Sequence, residues 1–202
     1  MKSLAAFVFD GFQTLDLFGP IEMLGDVGDE LDITIVAKTM DPIVSTHGQR
    51  ISADKTIFDG HTYDLLLVPG GQGALPNTKD SEVVPWLSEV SNEAELVMAV
   101  CTGCILLAAT GLLDGRKATT NKQLFAETTP LAPRVEWVPQ ARWVEDGKFF
   151  TSSGVSAGMD MALAAISRTF DQKTAEHIAR HTEYDWHRDA DWDPFAKLYG
   201  LA

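Results

Sequence analysis

Apolar residues fall into short, almost unbroken runs set between turn residues, and longer stretches with apolar positions at helical spacing separate those runs. Leu4 to Phe9 is one such run and stops at Asp10-Gly11. The segment from Thr14 to about Val27 follows, with Leu15, Phe18, Met23 and Leu24 as its apolar face, which predicts strand, turn and helix. Leu31 to Ala37 predicts the next strand, and the turn residues of Pro42 to Ser52 predict a small hairpin. Asp64 to Val68 is nearly all aliphatic, as a strand covered on both faces of a parallel sheet must be, and it ends in Pro69-Gly70-Gly71. A polar helix from about Ser81 to Glu93 leads into Leu96 to Val100, a second buried strand that runs directly into Cys101-Thr102-Gly103-Cys104.

In the second half, Lys117 to Thr120 predicts a short strand and a helix begins near Lys122. Strand-like sequence returns around Val135 to Trp137, Arg142 to Val144 and Phe149 to Ser152. Met159, Ala162, Leu163, Ile166 and Phe170 mark a long helix, and Ala175, Ile178 and Ala179 mark another after Asp171. Alternating strands and helices predict an α/β fold with a mainly parallel sheet between helical layers, where sites form at the carboxyl ends of strands. Three sharp loops lie at such ends: Asp10 to Asp16, Pro69 to Gly73, and Cys101.

The pattern never breaks at a linker, so a single domain over residues 1–202 is expected. With 45% hydrophobic and 22% charged residues, the composition excludes a disordered or low-complexity chain. Sixteen Lys and Arg against 29 Asp and Glu give a net charge of −13, which argues against nucleic acid and anionic membrane surfaces as partners. The start of the chain runs straight into core-like sequence with no signal-peptide pattern, and a cytoplasmic location is expected. The two cysteines, Cys101 and Cys104, are too few for a disulfide framework or a four-cysteine zinc site.

Cys101 carries the most chemical information. A nucleophile elbow needs a buried strand, a strained turn bearing the nucleophile, a helix, and small residues two positions either side. Ala99 and Gly103 are those small residues, and helical sequence begins at once. A sulfur at a helix N-terminus is expected to favour the thiolate. The alternatives are an inert buried cysteine and, because Cys101 and Cys104 form a C-x-x-C, a redox dithiol; the several βα units before the motif weigh against a thioredoxin-type domain.

These residues resemble the ThiJ/PfpI superfamily of glutamine-amidotransferase-like proteins. The resemblance is carried by Phe9 to Glu22, Asp64 to Gly71, Val100 to Gly103, Gly111 to Thr120 and Gly154 to Asp160, which are collinear. It implies a flavodoxin-like three-layer sandwich. Its nearest branch looks like the isocyanide (isonitrile) hydratases, because an aspartate, Asp16, stands where many relatives hold glutamate and because Thr102 follows the cysteine. In that branch Cys101 would add to the terminal carbon of an isocyanide, Asp16 would supply a proton, and water would release an N-substituted formamide, with no cofactor or metal. Gly70 and Gly71, with the amide of Thr102, would face the developing negative charge, and Gly154 and Val155 would close the site. On the residues alone Asp16 could instead cap a helix, Pro-Gly-Gly could be a plain turn, and Ser156 could be an N-cap.

Two departures from the superfamily stand out. Thr102 replaces the histidine that follows the nucleophile in PfpI-like proteases, which argues against peptidase activity, and Asn121-Lys122 replaces the histidine that often follows the Ala-Thr-Thr strand. The alternatives to hydration are glyoxalase- or deglycase-like action on α-oxoaldehydes and a non-catalytic redox or ligand sensor; without a basic helix-turn-helix extension, a DNA-binding regulator is disfavoured. His177 and His181, four apart, have a spacing that can hold a metal, with Glu183 or His187 as third ligand, although a solvated helix face is the simpler expectation. Trp186, Trp192 and Phe195 make the C-terminal stretch apolar enough to need cover, by the domain or by the second subunit of the homodimer usual in the superfamily.

Overall fold

A computed structural model describes all residues 1–202. Its central sheet has seven strands: β1 (Lys2–Phe7), β2 (Leu31–Ala37), β5 (Lys55–Thr56), β6 (Leu65–Val68), β7 (Leu96–Val100), β10 (Trp143–Asp146) and β11 (Phe149–Ser152). They lie in the order β10-β11-β7-β6-β1-β2-β5. Every pairing is parallel except the antiparallel edge pair β10–β11. The hairpin expected over Pro42 to Ser52 is present as β3 (Ile43–Val44) and β4 (Arg50–Ile51), paired antiparallel.

Helices cover the sheet in two groups. On one side α1 (Thr14–Gly25), α6 (Ala157–Thr169) and α7 (Gln172–His181) pack together, with α6 laid on β7 and β11. The other group is α2 (Ala74–Asn77), α3 (Val83–Glu93) and α4 (Gly103–Ala108), with α4 against β6 and β7. The expected α/β sandwich with a mainly parallel sheet is therefore present. Every residue of β6 and β7 is buried, which is the physical reason their sequences are unbroken aliphatic runs. No helix is long and apolar enough to cross a membrane.

The short strand expected over Lys117 to Thr120 is present as β8 (Lys117–Ala118), which pairs with β9 (Glu136–Trp137) outside the central sheet. Two other readings need correction. The helix expected from Lys122 shrinks to one turn, α5 (Phe125–Thr128), because Lys122 itself is buried and spent on tertiary contacts. Ser156 occupies the N-cap position of α6, but its hydroxyl caps nothing and accepts instead from Arg142 Nη2 at 3.3 Å.

Polar contacts fold the C-terminal stretch back onto the sandwich. Arg142 Nε lies 2.6 Å from Asp160 Oδ2 in a buried ion pair, and Asp160 Oδ1 accepts from the His187 N–H at 2.9 Å. Trp192 lies under the Arg142 guanidinium and stacks on His187 with ring centres 4.0 Å apart. Asp193 caps α8 (Pro194–Leu198) through Oδ1, while its Oδ2 sits 3.4 Å from the buried Lys122 Nζ. Trp186 is half-buried, and Trp192 and Phe195 remain exposed.

The turn after β7 is set by a close approach. A Cβ built on Gly103 would lie 2.4 Å from the Val68 carbonyl oxygen and 2.6 Å from that of Pro69, so α4 can start beside the end of β6 only with glycine there. Gly103→Ala should accordingly destabilise the protein by about 3 kcal/mol or more, since backbone rather than a flexible side chain must move. Urea denaturation measures this, and a shift of less than about 1 kcal/mol would show that the crossing can relax.

Candidate active site

Cys101 terminates β7 with φ +56, a left-handed conformation that a non-glycine residue holds only when its surroundings insist. They do. The Cys101 N–H donates to the Ser152 carbonyl at 3.1 Å, and the Cys101 carbonyl accepts from Thr120 Oγ1 at 2.7 Å and from the Cys104 N–H at 3.2 Å. The sequence marked Ala-Thr-Thr only as a motif, and this is what its second threonine does. Cys101 is thus an elbow residue in the geometric sense, with its thiol lining a cavity of about 460 Å³.

Asp16 arrives from the first turn of α1. The N-cap position there belongs to Gln13, so Asp16 is not a cap; its carboxyl is wholly buried beneath the elbow. Oδ2 accepts from the Gly70 N–H at 3.1 Å, and the carboxyl meets the Cys101 thiol. Oδ1 has no well-aligned donor. Burial pushes the Asp16 carboxyl up to about 7, against the pull of the Gly70 amide and the Cys101 thiol.

Burial also drives the Cys101 thiol well above its ordinary value, and the neighbouring Asp16 charge adds to this, against the opposing pulls of the Thr102 N–H and the Asn121 amide. This overturns the expected resting thiolate. α4 is only six residues long, and its dipole does not outweigh desolvation of the sulfur. Above about pH 7 the arrangement is therefore a thiol facing a carboxylate that has a free oxygen to receive its proton.

The glycine amides have other work. The Gly70 N–H is held by Asp16, and the Gly71 N–H donates to Thr102 Oγ1 at 2.9 Å while that hydroxyl donates back to the Gly71 carbonyl. The donors directed at the sulfur are the Thr102 N–H and Asn121. Asn121 was flagged in the sequence only as a departure, and no sequence signal shows its contact with the cysteine. Its Oδ1 is fixed by the Leu124 N–H at 3.1 Å, which turns Nδ2 toward the sulfur. Gly154 closes behind the pair: a Cβ there would stand 2.1 Å from Asn121 Nδ2 and 3.1 Å from Cys101 Sγ. Val155 lines the cavity wall.

Cys104 is fully buried one helical turn on, its thiol donating to the Ala99 carbonyl at 3.2 Å and lying 3.6 Å from that of Ser152; burial pushes it far up as well. Both cysteines are free thiols. His177 and His181 stack face to face on α7, and neither Glu183 nor His187 joins them in a cluster that could hold a metal.

A sequence model of the DJ-1/PfpI family matches residues 2–168. The isonitrile hydratase of Pseudomonas putida is 33% identical over 178 residues, covering 88% of this chain and 76% of that protein. A deglycase of Thermococcus kodakarensis is 25% identical over 145 residues, covering 71% of this chain and 84% of that one. Among solved structures, a ThiJ/PfpI family protein from Pseudomonas syringae superposes with a TM-score of 0.83 at 32% identity, covering 91% of this chain and 75% of the other.

Two outcomes check the electrostatics. Asn121→Ala removes a donor to the anionic sulfur, so the midpoint of Cys101 alkylation by iodoacetamide should rise by about 0.5–1.5 pH units with the fold intact; an unmoved midpoint would remove Asn121 from the sulfur's environment. For Asp16 the folded value, about 7, lies well above that of an ordinary solvent-exposed carboxyl. Its contribution is therefore fully present at low pH and lost as pH rises through about 7. Asp16→Asn should thus match the parent at pH 4 and exceed it by up to about 4 kcal/mol at pH 8, measured by urea titration at both.

Proposed function

Because the chain belongs to the DJ-1/PfpI family, we propose that it is a cysteine-dependent isocyanide hydratase, a cofactor-free lyase that converts R–NC to an N-substituted formamide. The observation that carries this reading is the buried Asp16 carboxyl set against the Cys101 thiol with one oxygen unpartnered. The similarity to a named isonitrile hydratase over most of the chain supports it.

In this mechanism the thiol proton passes to Asp16 as Cys101 Sγ bonds to the terminal isocyanide carbon, and Asp16 returns that proton to the same carbon. The product of the step is a thioimidate, R–N=CH–S–Cys101. Water then adds across C=N, its oxygen to carbon and a proton to nitrogen. The tetrahedral adduct collapses as the new hydroxyl loses its proton through Asp16 to the departing sulfur, which releases R–NH–CHO and restores the thiol. Thr102 N–H and the Asn121 amide steady the sulfur whenever it carries charge. The Gly70–Asp16 hydrogen bond serves to aim the carboxyl. The same proposal includes a homodimer in which the partner covers Leu15, Phe195 and Tyr199, which are exposed on the flank of the site.

The test is formamide production from an alkyl isocyanide, with methylglyoxal offered in parallel. Turnover should vanish in Cys101→Ala and fall about 10²- to 10⁴-fold in Asp16→Asn, the usual range for a positioned acid or base. In the parent kcat/KM should rise with pH to a plateau above about 7, as Asp16 becomes able to accept the proton, and this rise should disappear in Asp16→Asn. Turnover of methylglyoxal with none of the isocyanide would replace the hydratase reading with the deglycase one.

A further inference from the structure

The stretch Thr119 to Lys122 links the cysteine to the far end of the chain. Thr120 Oγ1 donates to the Cys101 carbonyl at 2.7 Å, and Asn121 Nδ2 and Cys101 Sγ flank the same point beside Gly154. On either side of these two, Lys122 Nζ donates to Thr119 Oγ1, and that hydroxyl donates to the Val138 carbonyl at 2.8 Å. The stretch lies between β8 and α5 in no regular element, and the main-chain N–H groups of Asn121, Lys122 and Gln123 reach no carbonyl. Its place is therefore set by side chains.

Of these, Lys122 alone bonds to the C-terminal segment. Its Nζ lies 3.4 Å from Asp193 Oδ2, with the two side chains 2% and 1% exposed. Burial lowers the pKa of the Lys122 ammonium, and Asp193 opposes this. A buried ion pair seldom adds stability over apolar side chains of similar size, because taking two charges out of water costs about what their attraction returns. Nor does α8 need the charge at 193. Its cap is Asp193 Oδ1, which accepts from the Phe195 and Ala196 N–H groups, and asparagine caps a helix about as well. What the pair does fix is the place of Lys122, and with it the preceding residue, whose amide faces the sulfur.

We propose that Asp193 and Lys122 are positioning residues: their ion pair holds the Thr119 to Lys122 stretch so that the Asn121 amide meets Cys101 as its sulfur becomes anionic. That this anion attacks an isocyanide rests on the function proposed above; the coupling from Asp193 to the sulfur does not.

The test variant is Lys122→Met with Asp193→Asn, which removes both charges, leaves the net charge unchanged and keeps a capping side chain at 193. Asp193→Asn alone would strand an ammonium in the interior and endanger folding. The titratable groups facing the sulfur, Asp16 from α1 and Cys104 from α4, are retained throughout. The rate of Cys101 alkylation by iodoacetamide at about pH 8 reads the thiolate fraction. It should fall about 3- to 30-fold in Asn121→Ala and by a similar factor in the double variant, and the triple variant should lie within about twofold of Asn121→Ala alone. A purely structural pair would lower the urea midpoint and leave this rate unmoved. An unchanged or faster rate in the double variant overturns the proposal, as does an unchanged rate in Asn121→Ala. Reductions that multiply in the triple variant also overturn it, since they would make the pair a direct electrostatic influence on the sulfur. In parallel, kcat/KM for an alkyl isocyanide should follow the alkylation rate across the three variants. Alkylation coupled in this way, with no isocyanide turned over even by the parent, would support the positioning and sink the hydratase reading alone.

Discussion

The left-handed turn at Cys101 is the constraint around which the rest is arranged. Such a conformation costs about 1–3 kcal/mol and must be held from outside. Here β7 is gripped between β6 and β11, the Cys101 N–H and carbonyl are both occupied, and α4 is forced to start against the Val68 and Pro69 carbonyls. The strain presents the sulfur at the carboxyl edge of the sheet, and three separate strand ends meet there. Asp16 follows β1, Gly70 follows β6 and Cys101 follows β7, so the site is a product of parallel topology more than of any one loop.

Once the sulfur is placed, burial decides its chemistry. Helix dipole, backbone amide and Asn121 all favour the anion, yet removing sulfur and carboxyl from water outweighs them and both groups bind protons more tightly than in solution. The pair is then a firmly protonated thiol beside a carboxyl that titrates near neutrality. Such an arrangement is inert until an electrophile enters and gives the thiol something to attack, which protects the sulfur from casual oxidation at rest.

Much of this was readable from the chain, for physical reasons. β2 spans Leu31 to Ala37 as expected, and β6 and β7 differ from expectation by at most one residue, because a strand buried on both faces must be written in aliphatic residues between turns. The elbow was readable because close passage demands small residues at 99 and 103. What could not be read depended on tertiary contact. Two-residue strands such as β5 carry no periodicity, α8 exists because Asp193 caps it from a site set by Lys122, and Asn121 meets the sulfur only because Leu124 turns its amide. Even the ionisation of Cys101 escaped the local argument, since dipole and charge are visible in sequence while depth of burial is not.

The ion pair between Lys122 and Asp193 has a bearing on where this protein can be cut. Its lysine lies within the stretch shared with the family and its aspartate well past the end of that stretch at residue 168. A chain trimmed to the shared stretch would strand an ammonium group in the interior next to Asn121, with the guanidinium of Arg142 left to hold Asp160 without the His187 and Trp192 cover. The end of the family match and the end of what the folded molecule needs are therefore different places, and the last thirty-odd residues lie between them.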